Sequence, residues 1–151
     1  QVVGNRLLDG LRERAGSSYT PTALSNWPLD MEGGGYVLAL VQMAPADIPA
    51  FYAEVDEIMA DLSANGPTAD ELNRVIEPMR QYIFRAQTGH TFWLNNIQGS
   101  AFDPHRVAHL PTLAGDYILT TPEEMQALAQ RYLVPQDGFR VVVLPREQAR
   151  P

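Results

Sequence analysis

The sequence contains no cysteine, which excludes thiol catalysis, disulfide cross-links and cysteine-ligated zinc sites but fits either the cytosol or the periplasm. No apolar run approaches the roughly 18 to 20 residues that a membrane-spanning helix needs. Positive charge is also scarce, because 11 Lys and Arg stand against 18 Asp and Glu, for a formal net charge of −7. Such a chain repels phosphate backbones. We therefore expect neither nucleic acid nor a membrane among its partners.

Several catalytic motifs are missing as well. The chain has no G-x-S-x-G, no H-x-x-E-H and, at the three glycines 33–35, no lysine of a phosphate loop. His105 and His109 stand four residues apart in HRVAH, a spacing that would place both imidazoles on one face of a helix. However, Ala108 occupies the position of the general-base glutamate, and prolines on both sides favour a loop or one short turn. We expect no metal site in this chain.

The residues that are present have the composition of a soluble globular domain. With 151 residues, 45% of them hydrophobic, the chain can bury roughly two-thirds of its unfolded surface. No linker or internal repeat divides it, so residues 1–151 are predicted to form one domain. The numbering begins at Gln1 inside a helical pattern. We therefore expect that upstream residues have been removed and that the chain is part of a longer protein.

Apolar residues at helical spacing predict several helices. The first covers about four turns before Gly16, and a second begins at Asp47 and stops at Gly66. A capping box of Thr68 and Glu71 opens the third. Residues 90–101 continue the helical pattern, and an irregular stretch is predicted from 103 to about 120. A second capping box, Thr121 with Glu124, opens the last helix.

Three segments are predicted to be strands. Residues 17–26 favour an edge strand, 36–43 a buried strand and 139–144 a strand that returns to the same sheet. We therefore expect an α+β fold in which the helices that begin near 47 and 68 pack on an antiparallel or mixed sheet. Because strands upstream of Gln1 are expected to be absent, the sheet should have an exposed edge with which another chain could pair.

One segment carries a family resemblance. Residues 11–21 read LRERAGSSYTP, in which Arg12 and Tyr19 stand seven positions apart. This segment resembles the helix-to-strand junction in the C-terminal halves of pitrilysin/insulinase-type zinc metallopeptidases, of the inverted-zincin clan. The similarity continues through TADELNRVIEPMR (68–80), HTFWL (90–94) and DPHRVAHLPTLAGDYILTTPEEMQALAQRYL (103–133) to the closing strand. The shared order of these segments, over almost the whole chain, carries the resemblance.

The resemblance implies a function that is divided between two halves. In that family two similar α+β halves enclose a chamber, and the N-terminal half supplies zinc through H-x-x-E-H and a downstream glutamate. This chain would be the metal-free half, without its first strands and inactive alone. Its partners would be the zinc-binding half, on the same or another polypeptide, and a peptide substrate. Bacterial members of the family suggest the periplasm.

The resemblance also assigns two site residues. Tyr19 would donate a hydrogen bond to the oxyanion that forms during peptide hydrolysis, and Arg12 would hold a backbone carbonyl of the substrate. Spacing alone favours a solvated helix residue for Arg12 and a half-buried strand residue for Tyr19. Two other functions stay open: a non-catalytic scaffold subunit of the same fold, and an independent metal hydrolase that uses His105 and His109.

Overall fold

Helix α1 (Val2–Ala15) forms where the sequence predicts it, and its inner face is the most deeply buried among the described residues. Leu7 and Leu11 lie one turn apart on that face and are 0% and 1% exposed. The computed structural model describes residues 1–15, 20–28, 33–98, 100–101, 104–134 and 138–145; for 13–15 and 104–106 it describes the backbone alone. Within these ranges the protein is mostly helical with a small sheet, an α+β fold.

The sheet of the described residues has two antiparallel strands, β1 (Thr22–Asn26) and β2 (Tyr36–Leu40). Its register pairs Leu24 with Leu38 and Ala23 with Ala39. The alanine face lies on α1, where an added Cβ at Gly4 would stand 3.5 Å from the Cβ of Ala23. The small residues on both elements therefore let the sheet approach the helix closely.

Two long helices follow. Helix α2 (Ile48–Asn65) comes after a single 3-10 turn (Pro45–Asp47) and ends at Gly66. Gly66 has a φ of 72°, which glycine adopts without the steric strain that a side chain would cause. Asp47 is the residue before α2, but its side chain makes no capping hydrogen bond. Helix α3 (Ala69–Ala86) begins with the predicted capping box of Thr68 and Glu71 and continues through Pro78.

The last part of the described chain contains shorter helices: α4 (His90–Ile97), α5 (Pro104–His109), α6 (Leu113–Leu119) and α7 (Pro122–Tyr132). The capping box of Thr121 and Glu124 opens α7 as predicted. The prediction of an irregular stretch from 103 to about 120 is wrong for α5 and α6. These helices have only six and seven residues, too few to show a periodic apolar pattern in the sequence.

Helix α1 lies at the centre of the packing. It contacts β1 on one side and α2 and α3 on others, while α7 packs on α2 and α6 on α3. The helix that lies against β1 is α1, rather than α2 or α3 as expected. Ala39 of β2 still packs against the core cluster to which Phe51 and Ile58 of α2 belong. Gln126 and Gln130 of α7 donate to the carbonyls of Ala64 and Ser63, at 2.6 and 2.8 Å. These bonds satisfy carbonyl groups at the end of α2 that have no partner within the helix.

Two strand predictions need correction. Residues 36–40 form β2, but they are largely exposed rather than buried, since the sheet has one covered face and two strands. Residues 139–144 form neither a strand nor a helix, and they do not join the sheet. A short β-branched run acquires strand structure only when a neighbouring strand offers its backbone groups, and no such neighbour lies beside it in the described residues.

Candidate functional site

The candidate site lies at the junction between α1 and β1. Arg12 occupies the last turns of α1, where its side chain is exposed to solvent. Tyr19, the predicted oxyanion donor, lies outside the described residues, so its position relative to Arg12 is not part of the structure. Strand β1 begins three residues later, at Thr22. The order helix, junction, strand is the one that the sequence predicts.

A network centred on Arg6 holds α1 against the two long helices. The Arg6 guanidinium donates from Nη1 to Asp61 of α2 at 2.5 Å and from Nε and Nη2 to the two carboxylate oxygens of Glu71 of α3, at 2.6 and 3.0 Å. Glu71 also accepts from the backbone N–H of Thr68, at 2.8 Å. A single arginine therefore fixes three helices relative to one another, with a bidentate geometry that gives directional strength.

The same contacts change the acidity of the carboxylates. The hydrogen bond from Arg6, followed by those from the backbone and hydroxyl of Thr68, lowers the pKa of Glu71 from its ordinary 4.5 to about 2. Hydrogen bonds from Asn65 and then from Arg6 lower the pKa of Asp61. A depressed carboxylate pKa stabilises the fold above the ordinary pKa, and this stabilisation is lost as the pH falls toward the folded-state value.

The Arg6→Met variant should therefore be less stable at neutral pH and less sensitive to acid. Losing charge-assisted hydrogen bonds of this kind costs about 1–2 kcal/mol when they are partly exposed. Between pH 5 and pH 2 the wild type should lose stability as Glu71 becomes protonated, whereas the variant should show a shallower slope. Urea unfolding over this pH range measures both effects.

Arg74→Met is the matched control, because Arg74 and Asp70 form an exposed pair within α3. Such a pair contributes at most about 0.5 kcal/mol. Equal pH slopes for the wild type and Arg6→Met would contradict the role of Arg6.

A buried carboxylate of α2 packs against α1 at Gly10. Glu54 of α2 is 6% exposed. Its carboxylate lies so close to Gly10 that a Cβ on Gly10 would stand 2.0 Å from Oε1 and 2.5 Å from Cδ. A side chain at position 10 would therefore displace the buried Glu54 carboxylate from this place. Gly10 is two residues before Arg12 on α1.

Arg12 differs from most described arginines in its surroundings. Arg6, Arg74, Arg80 and Arg140 all pair with carboxylates. Among the described residues no carboxylate forms a salt bridge with Arg12, and the same holds for Arg85 and Arg131. In a chain with 18 acidic residues, an exposed guanidinium without a carboxylate partner has its donors available for another molecule.

The histidines do not form a metal site in the part of the chain that is described. HRVAH lies on α5, a helix of six residues, so the i, i+4 spacing of His105 and His109 is helical. His109 is exposed, and the side chain of His105 is outside the description. No group of three or more His, Asp or Glu side chains that could hold a metal ion occurs among the described residues. The absence of metal from the chain stays a prediction.

Next to the junction, the sheet presents an uncovered apolar surface. Six side chains lie opposite the alanine face, which we call the outer face of the sheet: the apolar Leu24, Tyr36, Leu38 and Leu40 and, at its ends, the polar Thr22 and Asn26. The four apolar side chains are between 40% and 55% exposed. Uncovered apolar patches of this kind mark surfaces that bind a ligand or another polypeptide.

Comparisons with protein-family models, curated proteins and solved structures found no match. The described part of the chain contains no helix that is long and apolar enough to cross a membrane.

Two features of the site escaped the sequence analysis: the Arg6 network and the contact between Gly10 and Glu54. A glycine in the interior of a helical pattern was the available signal for the second, since such a glycine often marks a close approach.

Proposed function

We propose that this chain is the metal-free, substrate-binding half of a pitrilysin-type zinc endopeptidase. The observation that carries the proposal is the junction sequence, in which Arg12, near the end of α1, stands seven residues before Tyr19 and ten before β1 begins at Thr22. The pitrilysin-type half-unit fold belongs to the same proposal. The zinc and the general base would come from the other half, which we call the zinc half, and the two halves together are the complete enzyme.

The proposed chemistry divides between the halves. Zinc in the zinc half supplies a hydroxide nucleophile at neutral pH. Attack on the scissile carbonyl leaves negative charge on its oxygen, and a hydrogen bond from the Tyr19 phenol would stabilise that charge. Arg12 would donate to a backbone carbonyl elsewhere on the peptide and so fix its register, since a guanidinium stays charged and carries several donors.

Two features of the described residues support this assignment. Arg12 is exposed and forms no salt bridge within the described chain, so binding a peptide carbonyl would break no ion pair there. The outer face of the sheet, on the side away from α1, also exposes Leu24, Tyr36, Leu38 and Leu40. Exposed apolar residues of this kind are typical of surfaces that bind another polypeptide.

A scaffold role is the second candidate, and the same outer face supports it. A subunit that only packs against others would also present an apolar sheet face. It would give Arg12 and Tyr19 no chemical task. Conservative substitution of Tyr19 in the complete enzyme separates the two functions, as argued in the Discussion.

The isolated chain is expected to hold no stoichiometric zinc and to cleave no peptide. Elemental analysis after dialysis against zinc and then against buffer measures the first, and a quenched-fluorescence peptide assay measures the second. The control is a variant with both His105→Ala and His109→Ala. One tightly bound zinc per wild-type chain, lost in the double variant, would support the independent metal hydrolase and contradict this proposal.

A further inference from the structure

A pair of exposed aromatic rings lies at the end of the sheet that is farther from the junction. Trp27 follows β1 directly, and Tyr132 is the last residue of α7. The ring centroids are 5.3 Å apart and the rings stand at 75° to each other, an edge-to-face contact. The two residues are 53% and 45% exposed. About half of each side chain is therefore open to another molecule.

Gly35 provides the surface on which the Trp27 ring lies. A Cβ added at position 35 would stand 2.3 Å from Cε3 and 2.6 Å from Cζ3 of the indole, so a side chain there would displace the ring. These two carbons belong to the edge of the indole that is opposite to Nε1, so the N–H does not face Gly35. A ring that is already held by two contacts loses little freedom when a ligand binds.

One guanidinium lies beside these rings. The Cζ atom of Arg131 is 5.1 Å from the centroid of the Tyr132 ring. Arg131 is exposed and forms no salt bridge with a described residue. It lies in the last turn of α7, where the carbonyl end of the helix carries only about half a negative charge, so the full positive charge of the guanidinium prevails. Its donors are therefore available to an anionic group.

Two further donors are present at the same surface. Tyr52 and Trp93 donate to backbone carbonyls. Among the described residues, no such bond is formed by the Trp27 indole N–H or the Tyr132 hydroxyl. We call Trp27, Arg131 and Tyr132 the aromatic patch. It combines exposed ring surface with hydrogen-bond donors and one positive charge.

We propose that the aromatic patch binds an acidic peptide segment in which an apolar side chain stands next to a carboxylate. The apolar side chain packs on the exposed rings of Trp27 and Tyr132. The carboxylate accepts a charge-assisted hydrogen bond from Arg131. Tryptophan, tyrosine and arginine are also the residues that most often dominate the binding energy of protein interfaces.

The charge beside the rings selects an acidic segment over a basic one. Physiological salt screens charges over about 8–10 Å. The guanidinium next to the rings therefore outweighs the net charge of −7, which is distributed over the whole chain. A basic side chain would meet a like charge at Arg131. The outer face of the sheet carries no charged side chain and makes no such choice.

Fluorescence titration of the full 151-residue chain tests the proposal. Trp93→Phe leaves Trp27 as the only tryptophan, so the emission reports on the aromatic patch. The probe is a capped six-residue peptide of alternating leucine and aspartate, and the control peptide has asparagine in place of aspartate. The acidic peptide should bind at least about tenfold more tightly, because hydrogen bonds between charged groups are stronger than those to neutral amides. High salt should reduce this difference.

Three variants in the Trp93→Phe background assign the binding to the patch. Arg131→Met should bind the two peptides equally, because it removes the charge. Tyr132→Leu should weaken the binding of both peptides, because it removes ring surface and keeps the charge. Arg85→Met is the matched control and should bind as the parent does, since Arg85 is also exposed without a salt bridge to a described residue. Far-UV circular dichroism should show that all three keep the helices.

Several results would overturn the proposal. Equal affinity of the parent for the two peptides would do so, as would an unchanged preference in Arg131→Met. No change in emission, together with no heat in a calorimetric titration, would show that the patch does not bind this class of peptide. An emission change that follows protein concentration without peptide would mean that a second copy occupies the patch instead. The titration needs no zinc half, so its outcome is separate from that of the proposed peptidase function.

Discussion

In the complete enzyme, the Tyr19→Phe variant should turn over peptides about 10² to 10³ times more slowly than the wild type, the usual effect of losing one oxyanion donor. The substitution removes only a hydroxyl, so the fold should persist. If the hydrogen bond forms mainly in the transition state, kcat should fall while KM changes little. Steady-state kinetics with a fluorogenic peptide measure both constants.

Arg12→Ala should have a different kinetic signature. Because Arg12 is proposed to hold the substrate in both the ground state and the transition state, its loss should raise KM as well as lower turnover. A hydrogen bond from a charged group contributes about 1.5–3 kcal/mol, so the change in kcat/KM should be roughly tenfold or more. Arg85→Ala is the matched control, since Arg85 is also exposed and forms no salt bridge with described residues.

A scaffold role predicts another result for the same variants. An ordinary half-buried hydroxyl contributes about 1 kcal/mol to stability, and its removal should leave kcat within a factor of about three. Turnover of Tyr19→Phe at nearly the wild-type rate would therefore remove the chemical role of this residue. The chain would then be a wall of the chamber or a packing subunit.

The Gly10→Ala variant should be clearly destabilised, although alanine is the better helix former. Helix propensity alone favours alanine over glycine by about 1 kcal/mol. The added methyl group, however, would stand 2.0 Å from a carboxylate oxygen of the buried Glu54. Alanine would therefore displace the buried carboxylate, and disturbing a buried polar group typically costs about 1–3 kcal/mol, so the free energy of unfolding should fall. Urea denaturation at pH 7 measures it.

Gly115→Ala provides the matched control. Gly115 lies within α6, and a Cβ added there meets no atom within 4 Å. Its substitution should raise stability by up to about 1 kcal/mol. The double variant Gly10→Ala with Glu54→Ala should recover part of the loss, because the two residues are in contact and their effects are not additive. Equal gains at Gly10 and Gly115 would contradict the contact between Gly10 and the Glu54 carboxylate.

Features that depend on local sequence were predictable. The capping boxes at Thr68 and Thr121 form as expected, because their two hydrogen bonds join residues three positions apart. The stop of α2 at Gly66 and the pairing of β1 with β2 also follow from neighbouring residues. Each of these elements is decided within a few residues of the chain.

Features that depend on residues far away in the sequence were not predictable. An apolar run such as 36–40 predicts a strand, but whether both faces are covered depends on elements elsewhere in the chain. The same holds for 139–144. Its composition favours a strand, but the segment lies against α2 and not beside a described strand. The Arg6 network joins residues 55 and 65 positions apart, and no local pattern announces it.

The candidate site was predictable only in part. The i to i+7 spacing of Arg12 and Tyr19 has no specificity by itself and gained meaning from the order of the resembling segments. The structure adds that Arg12 is exposed and that Gly10, two residues before it, contacts Glu54 of α2. Glycine 10 could have been suspected from its place inside a helical pattern, but the identity of its neighbour required coordinates.

The measurement that tests the central claim most directly is the identification of every polypeptide that purifies stoichiometrically with this chain from its natural source, with full sequence coverage by mass spectrometry. We predict an H-x-x-E-H motif either on the same polypeptide or on an equimolar partner, together with one zinc per complex. A complex that contains neither this motif nor stoichiometric zinc would contradict the assignment of this chain to a divided zinc endopeptidase.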